Sequence, residues 1–413
     1  MISIQQIDQA AKTLEKVVQT TPLQYSKRLS KLYKAHIYLK REDLQEVRSF
    51  KIRGAYNKIA SLTEEEKKRG VVCASAGNHG QGVAMGCFLQ KIKGVIFMPR
   101  VTPNQKIEKV KQFGQKYVEV KLAGDTFDDA SEESKTYTKQ NNMVYVHPFD
   151  DALVIAGQGT VGKEIYEQTD GILDIVISPI GGGGLASGIS SYLKQKNYRI
   201  KIIGTEPQGA AGMYFSVTNG SVISLKNIDT FVDGAAVKTV GNTTFALCQK
   251  YVSKIVTIPE GMDCTTMIEL YQKDGIIAEP AGALSISTLE KIKSEIKGKT
   301  VVCILSGGNN DLLRYPEILE RSLIYLGRKH YFIIEFAQKP GQLRQFVDKA
   351  LGPTDDIVRF EYIKKTNKEK GPALVGIELQ NASNYKSLLA RMDKIGLQYR
   401  ILLQDDMLYQ YLV

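Results

Sequence analysis

The sequence predicts an α/β fold with a largely parallel sheet, followed by a smaller α+β module of ferredoxin-like order. Three observations predict it. Between residues 36 and 306, short β-branched runs alternate with loops and helical periodicity, as strands joined by crossover helices require. The loops leaving those runs are rich in small residues, above all the four glycines Gly181 to Gly184. From residue 329 the order becomes strand, helix, two strands, helix, strand.

At 413 residues the chain can bury more than one core. Its 43% hydrophobic and 24% charged residues are ordinary for a soluble globular protein, and no apolar run reaches membrane-spanning length. Ile2, Ile4, Ile7, Leu14 and Val17 are interrupted by Asp8 and Glu15, the pattern of a surface helix and not of a signal peptide. A cytoplasmic protein is expected. The 55 basic and 44 acidic side chains leave a net charge of +11, which raises nucleic acid or an anionic membrane as partners. The lysines are spread along the chain, however, and the densest groups (Lys67 to Arg69, Lys364-Lys365, Lys368 to Lys370) lack interleaved aromatics. Solvation is their expected role, with no nucleic acid and no membrane bound. Cys73, Cys87, Cys248, Cys264 and Cys303 are odd in number, without CxxC spacing or a nearby His, so neither a disulfide framework nor a metal site is expected. They read as small core residues.

In chain order, His36 to Lys40 alternates as a strand. Ser49-Phe50-Lys51-Ile52-Arg53-Gly54-Ala55 then opens a helix in which Phe50, Ile52, Ala55, Tyr56 and Ile59 share one buried side. Desolvation of Lys51 between two apolar neighbours would favour a free amine able to form a Schiff base with a carbonyl. The competing reading is a solvated lysine, like most of the 55 basic residues. Gly70 to Ala74 is a strand, and Ser75-Ala76-Gly77-Asn78-His79-Gly80-Gln81-Gly82 leads into a helix through Leu89. That loop either presents backbone N–H groups to an anion such as a carboxylate, or is a plain turn with Asn78 as its cap. Gly94 to Met98 is a strand, and Gln105 to Phe113 a helix without evident chemistry.

Ile172 to Pro179 is the clearest strand and runs into Ile180-Gly181-Gly182-Gly183-Gly184-Leu185, before a helix from Ala186 to Lys194. Four glycines forfeit order and packing, so close approach of a ligand, a phosphate, is the economical explanation. No Lys-Ser/Thr follows, which excludes a nucleoside triphosphate P-loop. Gly181, Gly183 and Ala186 fit G-x-G-x-x-A, and Glu206 ends the strand Ile200 to Thr205; a dinucleotide-binding oxidoreductase therefore stays open. Lys254 to Thr257 is a strand and Met262 to Asp274 a helix. Glu279-Pro280-Ala281-Gly282-Ala283 opens another, with Glu279 as a first-turn acid. Thr300 to Leu305 is a buried-type strand ending at Ser306-Gly307-Gly308, where the hydroxyl can meet a ligand nitrogen or cap the turn.

Jointly, the Ser49-Phe50-Lys51 signature, the Ser75 to His79 loop, the glycine run and Ser306 resemble the fold-type II family of pyridoxal-phosphate enzymes, tryptophan synthase β-like with two parallel-sheet subdomains. Within that family they resemble the threonine dehydratases (threonine ammonia-lyases). The resemblance covers residues 10 to 320 and includes Asp233 to Val237 and Glu279 to Ala283, while Val47-Arg48 departs from the aromatic residue some longer members carry. It implies a catalytic domain over 1–320, with a smaller subdomain over 45–150. It implies that Lys51 holds pyridoxal 5'-phosphate and acts as the catalytic base. By the same resemblance Asn78 bonds the ring hydroxyl, Gly181, Gly182, Gly183, Gly184 and Leu185 bind the phosphate, and Ser306 meets the pyridine nitrogen. Ser75, Ala76, Gly77, Asn78 and His79 would hold the substrate carboxylate. The implied reaction is β-elimination on L-threonine, with L-serine a poorer substrate, giving 2-oxobutanoate and ammonia as the first step of isoleucine biosynthesis. A catabolic threonine or serine dehydratase and a serine racemase are the rivals on this fold, and a catalytically inactive amino-acid sensor is a further alternative.

In the tail, Tyr331 to Phe336 reads as a strand, Pro340 to Lys349 as a helix, Ile357 to Lys364 and Ala373 to Leu379 as strands, Tyr385 to Ile395 as a helix and Tyr399 to Leu403 as a strand. Phe336-Ala337-Gln338-Lys339-Pro340-Gly341-Gln342-Leu343 resembles the first turn of ACT-like regulatory domains. The resemblance implies a linker over 321–328 and a regulatory domain over 329–413, with L-isoleucine as effector and L-valine opposing it. A module for assembly alone is the competing reading. It also implies a homo-oligomer, a homotetramer.

Overall fold

The structure, a computed structural model, describes residues 1–364, 368–403 and 406–412. Lys365 of the basic groups, and residues 404, 405 and 413 of the tail, lie outside them. The chain divides into two compact units, Met1–Glu260 with Leu270–Asn310, and Gly261–Glu269 with Asp311–Val413.

The first unit is built on two sheets. The larger has the order Leu23–Tyr25, His36–Arg41, Thr300–Leu305, Ile175–Pro179, Lys201–Pro207, Lys254–Ile258, all parallel except its first, antiparallel pair. The smaller is wholly parallel, in the order Val118–Leu122, Gly94–Met98, Val71–Ala74, Val144–Tyr145. Val71–Ala74, Gly94–Met98 and Ile175–Pro179 are buried at every position, which is why they read as unbroken apolar runs and not as alternation. Sequence periodicity did not single out the short edge strand Leu23–Tyr25, the half-exposed Val118–Leu122 or the two-residue Val144–Tyr145. The five cysteines are buried and free.

Helix Lys51–Ala60 leaves the larger sheet after His36–Arg41 and buries Ile52, Arg53, Gly54, Ala55, Tyr56, Asn57 and Ile59. Arg53 is the unexpected member of that set. Its guanidinium donates to both Glu42 oxygens at 2.8 Å and to Glu164 at 2.6 and 3.0 Å; Lys40 donates to Glu164 at 2.5 Å and to the Thr21 carbonyl at 2.7 Å. The carboxylates raise the Arg53 pKa and the guanidinium holds Glu42 below the usual carboxylate range, while burial lowers Lys40. The ion cluster thus ties Lys51–Ala60 to helix Ala152–Gln168, which carries Glu164.

The second unit contains a four-stranded antiparallel sheet ordered Asp356–Tyr362, Lys370–Glu378, Lys329–Ala337, Gln398–Ile401. With helices Gln342–Ala350 and Asn384–Lys394, its chain order is strand, helix, two strands, helix, strand, the predicted ferredoxin-like arrangement. Alternation does the work: Phe332, Ile334 and Phe336 on one strand and Ala373, Val375 and Ile377 on its neighbour join Phe346, Leu388 and Met392 of the helices in one core. Helix Tyr315–Tyr325 precedes the sheet, running into the stretch 321–328, and its Ser322 hydroxyl is 2.9 Å from that of Thr265. Among the described residues no helix is long and apolar enough to cross a membrane.

Candidate active site

Three loops meet where parallel strands end. His36–Arg41, Thr300–Leu305 and Ile175–Pro179 are adjacent and parallel, so the segments leaving their carboxyl ends, carrying Lys51, Ser306 and Gly181 to Leu185, share one crevice. The cleft, with about 420 Å³ of empty space when the open solvent at its mouth is included, is lined by Phe50, Lys51, Pro148, Phe149, Gln158, Pro179, Gly181 to Leu185, Gly234, Ala235, Ala281 and Ser306.

Backbone pairing holds the first two loops in register. Ser49 and Gly307 form an antiparallel bridge, the Phe50 N–H donates to the Ser306 carbonyl at 3.1 Å, and the Gly308 N–H donates to the Arg48 carbonyl at 2.9 Å. Arg48 makes the bend with a φ of +56°, a left-handed conformation that a non-glycine residue adopts only when its surroundings enforce it. The Ser49 hydroxyl is fully buried and has no hydrogen-bond partner among the described residues.

Lys51 begins its helix with the ammonium 3.0 Å from the Pro148 carbonyl and 5.3 Å from the centre of the Phe50 ring. Burial lowers its pKa to about 8, with the Glu279 carboxylate opposing the shift. The amine is therefore far easier to deprotonate than a surface lysine. The Ser306 hydroxyl donates to the Ala281 carbonyl at 3.2 Å and caps no helix.

At the glycine run, helix Gly184–Lys196 starts behind Gly183, which stands at φ +93° and offers no side-chain cap. Its first N–H groups are thus available to an anion at the cleft. The protein itself uses the missing side chains as well. A Cβ on Gly182 would lie 2.1 Å from the Phe149 ring, one on Gly183 2.7 Å from Met213, and one on Gly181 3.0 Å from Ala235.

The Ser75 to His79 loop follows Val71–Ala74 of the smaller sheet and is absent from the residues lining the cleft. Helix Asn78–Gln90 starts there without a side-chain cap, so Asn78 is not the cap that the plain-turn reading expects. Its Nδ2 donates to Glu279 at 2.7 Å and its Oδ1 accepts from Asn309 at 2.7 Å. The His79 ring lies 2.9 Å from the Val146 carbonyl, an acceptor, so Nε2 carries the proton, and the buried Nδ1 is an acceptor with no partner among the described residues. Burial and Lys51 push the His79 pKa down to about 3, so the ring is neutral. Gly77 N–H bonds the Ser75 hydroxyl at 3.2 Å, and Ala76 packs against the core of the smaller sheet. The loop is nonetheless close to Lys51, whose charge acts on His79, and a Cβ on Gly82 in the helix that follows would stand 3.2 Å from the Lys51 carbonyl.

Glu206, the acid on which the dinucleotide reading rests, is committed elsewhere. It is fully buried, and its two oxygens accept the Met213 and Tyr214 N–H groups at 2.8 and 2.7 Å at the start of helix Gly212–Asn219. Burial raises its pKa to about 8. It is a helix cap and is not free for a ribose, which corrects that alternative.

Sequence reasoning missed the turn His147-Pro148-Phe149-Asp150-Asp151. His147 Nδ1 accepts the Phe149 and Asp150 N–H groups at 3.2 and 2.8 Å, Asp150 accepts from Thr243 and Thr244 at 3.0 and 3.1 Å, and Asp151 caps helix Ala152–Gln168. An Asp cap directly after a short β run was the available signal.

The donor set fits a phosphorylated pyridine aldehyde: an amine of lowered pKa, an uncapped helix start and a neutral hydroxyl border one cleft, while the orphaned Ser49 hydroxyl lies beside Lys51 in the chain. The family model described as "Pyridoxal-phosphate dependent enzyme" matches residues 14–307, and that of the "C-terminal regulatory domain of Threonine dehydratase" matches 320–412. The chain is 53% identical over 412 residues to "L-threonine dehydratase biosynthetic IlvA" of Halalkalibacterium halodurans, covering 100% of this chain and 99% of that one. It is 49% identical to the protein of the same description from Bacillus subtilis, covering 100% and 98%. The processed form of threonine deaminase isoform 2 from Solanum lycopersicum superposes with a TM-score of 0.73 at 37% identity, covering 78% of this chain and 94% of that one. Maize serine racemase gives 0.72 at 30%, covering 78% and 98%. With its catalytic stretch, its regulatory stretch and its full-length relatives in agreement, the chain belongs to the pyridoxal-phosphate dependent enzymes and, among them, to the biosynthetic L-threonine dehydratases.

Proposed function

We propose that this chain dehydrates and deaminates L-threonine, and L-serine less well, giving 2-oxobutanoate and ammonia from threonine at the head of isoleucine synthesis. The observation that carries the reading is the convergence of Lys51, Gly181 to Leu185 and Ser306 on one cleft at the ends of three adjacent parallel strands. Bound pyridoxal phosphate supplies a sink for the electrons left at the α-carbon. Lys51 would hold it through its side-chain amine, and the same amine, when free, would take the substrate's α-proton; its lowered pKa supports both roles. N–H groups of Gly181 to Leu185 hold the phosphate, as an uncapped helix start suits them to do. The neutral Ser306 hydroxyl would serve the pyridine nitrogen, and an amide N–H of Asn78 would serve the ring hydroxyl. Ser75 to His79 hold the substrate carboxylate through main-chain N–H groups, since the His79 ring is engaged with Val146. The water lost at the β-carbon is regained on hydrolysis, so threonine is fully accounted for by 2-oxobutanoate and ammonia.

In the same reading, residues 1–320 catalyse, with 45–150 as the smaller subdomain, 321–328 link, and 329–413 bind L-isoleucine as inhibitor, with L-valine opposing it. The working form is a cytoplasmic homotetramer. The test is the initial rate of 2-oxo acid formation across an L-threonine series, with and without L-isoleucine. A sigmoidal curve suppressed by isoleucine is expected; absence of turnover in cofactor-replete protein would overturn the reading.

A further inference from the structure

Glu279 is a buried carboxylate that the mechanism above does not use. It occupies the N-cap position of helix Pro280–Lys291, yet its side chain makes no capping bond. It reaches instead to Asn78, accepting the Nδ2–H at 2.7 Å, in a space that only glycine leaves open: a Cβ on Gly307 would stand 2.2 Å from Glu279 Oε1. The main chain is tied to the same turn, the Glu279 N–H donating to the Gly307 carbonyl at 3.2 Å. One carboxylate thus touches the asparagine assigned to the ring hydroxyl and packs against the turn that follows Ser306.

The direction of the Asn78 amide follows by elimination. Asn309 Nδ2 lies 2.8 Å from the Val47 carbonyl, which can only accept, so that nitrogen is the donor. The same nitrogen is 2.7 Å from Asn78, which must answer with Oδ1, leaving Nδ2 towards Glu279. A flipped Asn78 would set oxygen against oxygen at Glu279 and NH2 against NH2 at Asn309. One Asn78 N–H remains uncommitted, and its direction is set by the other two bonds.

We propose that Glu279 is a positioning residue, fixing the Asn78 carboxamide so that its remaining N–H serves the cofactor's ring hydroxyl. This rests on the assignment of Lys51 and Asn78 to pyridoxal phosphate. A charged acceptor binds an amide about twice as strongly as a neutral one, so the hold depends on ionisation of Glu279. Lys51 on its helix, Lys106 on helix Asn104–Gly114, Asp233 on the loop before Val237 and the Asn309 N–H face that carboxylate. Burial and Asp233 raise its pKa to about 7 against the pull of the others.

The experiment is a pH titration of the visible absorbance of the bound cofactor in wild-type holoenzyme and in Glu279→Gln, with kcat and KM for L-threonine. In the Gln variant the absorbance midpoint is expected to move by about one pH unit. Its kcat is expected to fall about tenfold or more with KM little changed. Glu279→Ala should lose at least as much, and Glu279→Asp should recover part of the wild-type midpoint. A Gln variant with unchanged midpoint and kcat overturns the proposal, as does a Glu279→Ala protein that merely loses cofactor while the Gln variant matches wild type. Wild-type protein with no cofactor absorbance would instead overturn the assignment of Lys51.

Discussion

Gly54 and Gly157 bring two helices into backbone contact: a Cβ on Gly157 would lie 2.5 Å from the Arg53 carbonyl oxygen and 2.7 Å from Gly54 Cα. Because Gly54 is one turn from Lys51, the seat of the amine is set by how closely these helices approach. Gly157→Ala should force them apart, lowering stability by about 1–3 kcal/mol and reducing cofactor content. Denaturant unfolding together with visible absorbance checks both; a variant of wild-type stability would show that the helices can slide without consequence.

Arg53→Met should be strongly destabilising although it replaces one buried long side chain by another. Removing the guanidinium leaves Glu42 and Glu164 facing each other with only Lys40 between them, and breaking a buried pair in this way costs about 3–5 kcal/mol. Equilibrium urea unfolding measures it, and a loss under about 1 kcal/mol would mean that water repairs the gap.

Lys51→Ala should abolish turnover while leaving far-UV circular dichroism unchanged. Borohydride reduction followed by mass spectrometry should attach the cofactor to wild type and not to the variant. Turnover that survives the substitution would remove Lys51 from the chemistry.

Glu206 gives a pH prediction with a definite sign. Its folded pKa of about 8 lies above the ordinary 4.5, so its contribution to stability is complete below the ordinary value and declines as pH rises towards the folded one. Wild-type Tm should therefore fall between about pH 5 and pH 8 more steeply than that of Glu206→Gln. Parallel melts across that range decide it. Since both oxygens cap a helix, the variant should keep its cofactor absorbance.

Removing residues 328 to 413 should leave threonine turnover and abolish the response to L-isoleucine. A truncated protein that folds by circular dichroism and stays fully isoleucine-sensitive would refute the regulatory assignment.

Much of this was legible in the sequence, for reasons that differ by element. Ile175–Pro179 and Thr300–Leu305 announced themselves because strands covered on both faces are apolar throughout. The tail was readable for the opposite reason, since Lys329–Ala337 alternates. Leu23–Tyr25 and Val144–Tyr145 are too short to carry a period. At the site, the glycine run stood out because four glycines forfeit packing, whereas Lys51 and Ser306 each had an ordinary local reading and were joined to it only by the family resemblance. The Glu279, Asn78 and Asn309 linkage did not, because its members lie 201 and 231 positions apart and each has an ordinary local explanation.

The bridge between Ser49 and Gly307 has a consequence for synthesis on the ribosome. Thr300–Leu305 sits between His36–Arg41 and Ile175–Pro179, so the middle of the larger sheet is among its last parts to be made. At roughly 5–20 residues per second, the nascent chain waits on the order of ten seconds or more with those two strands unjoined. Until the last strand slots in, there is no crevice for a vitamin-derived ligand to enter, and the unfinished chain is at its most exposed to chaperones and to aggregation.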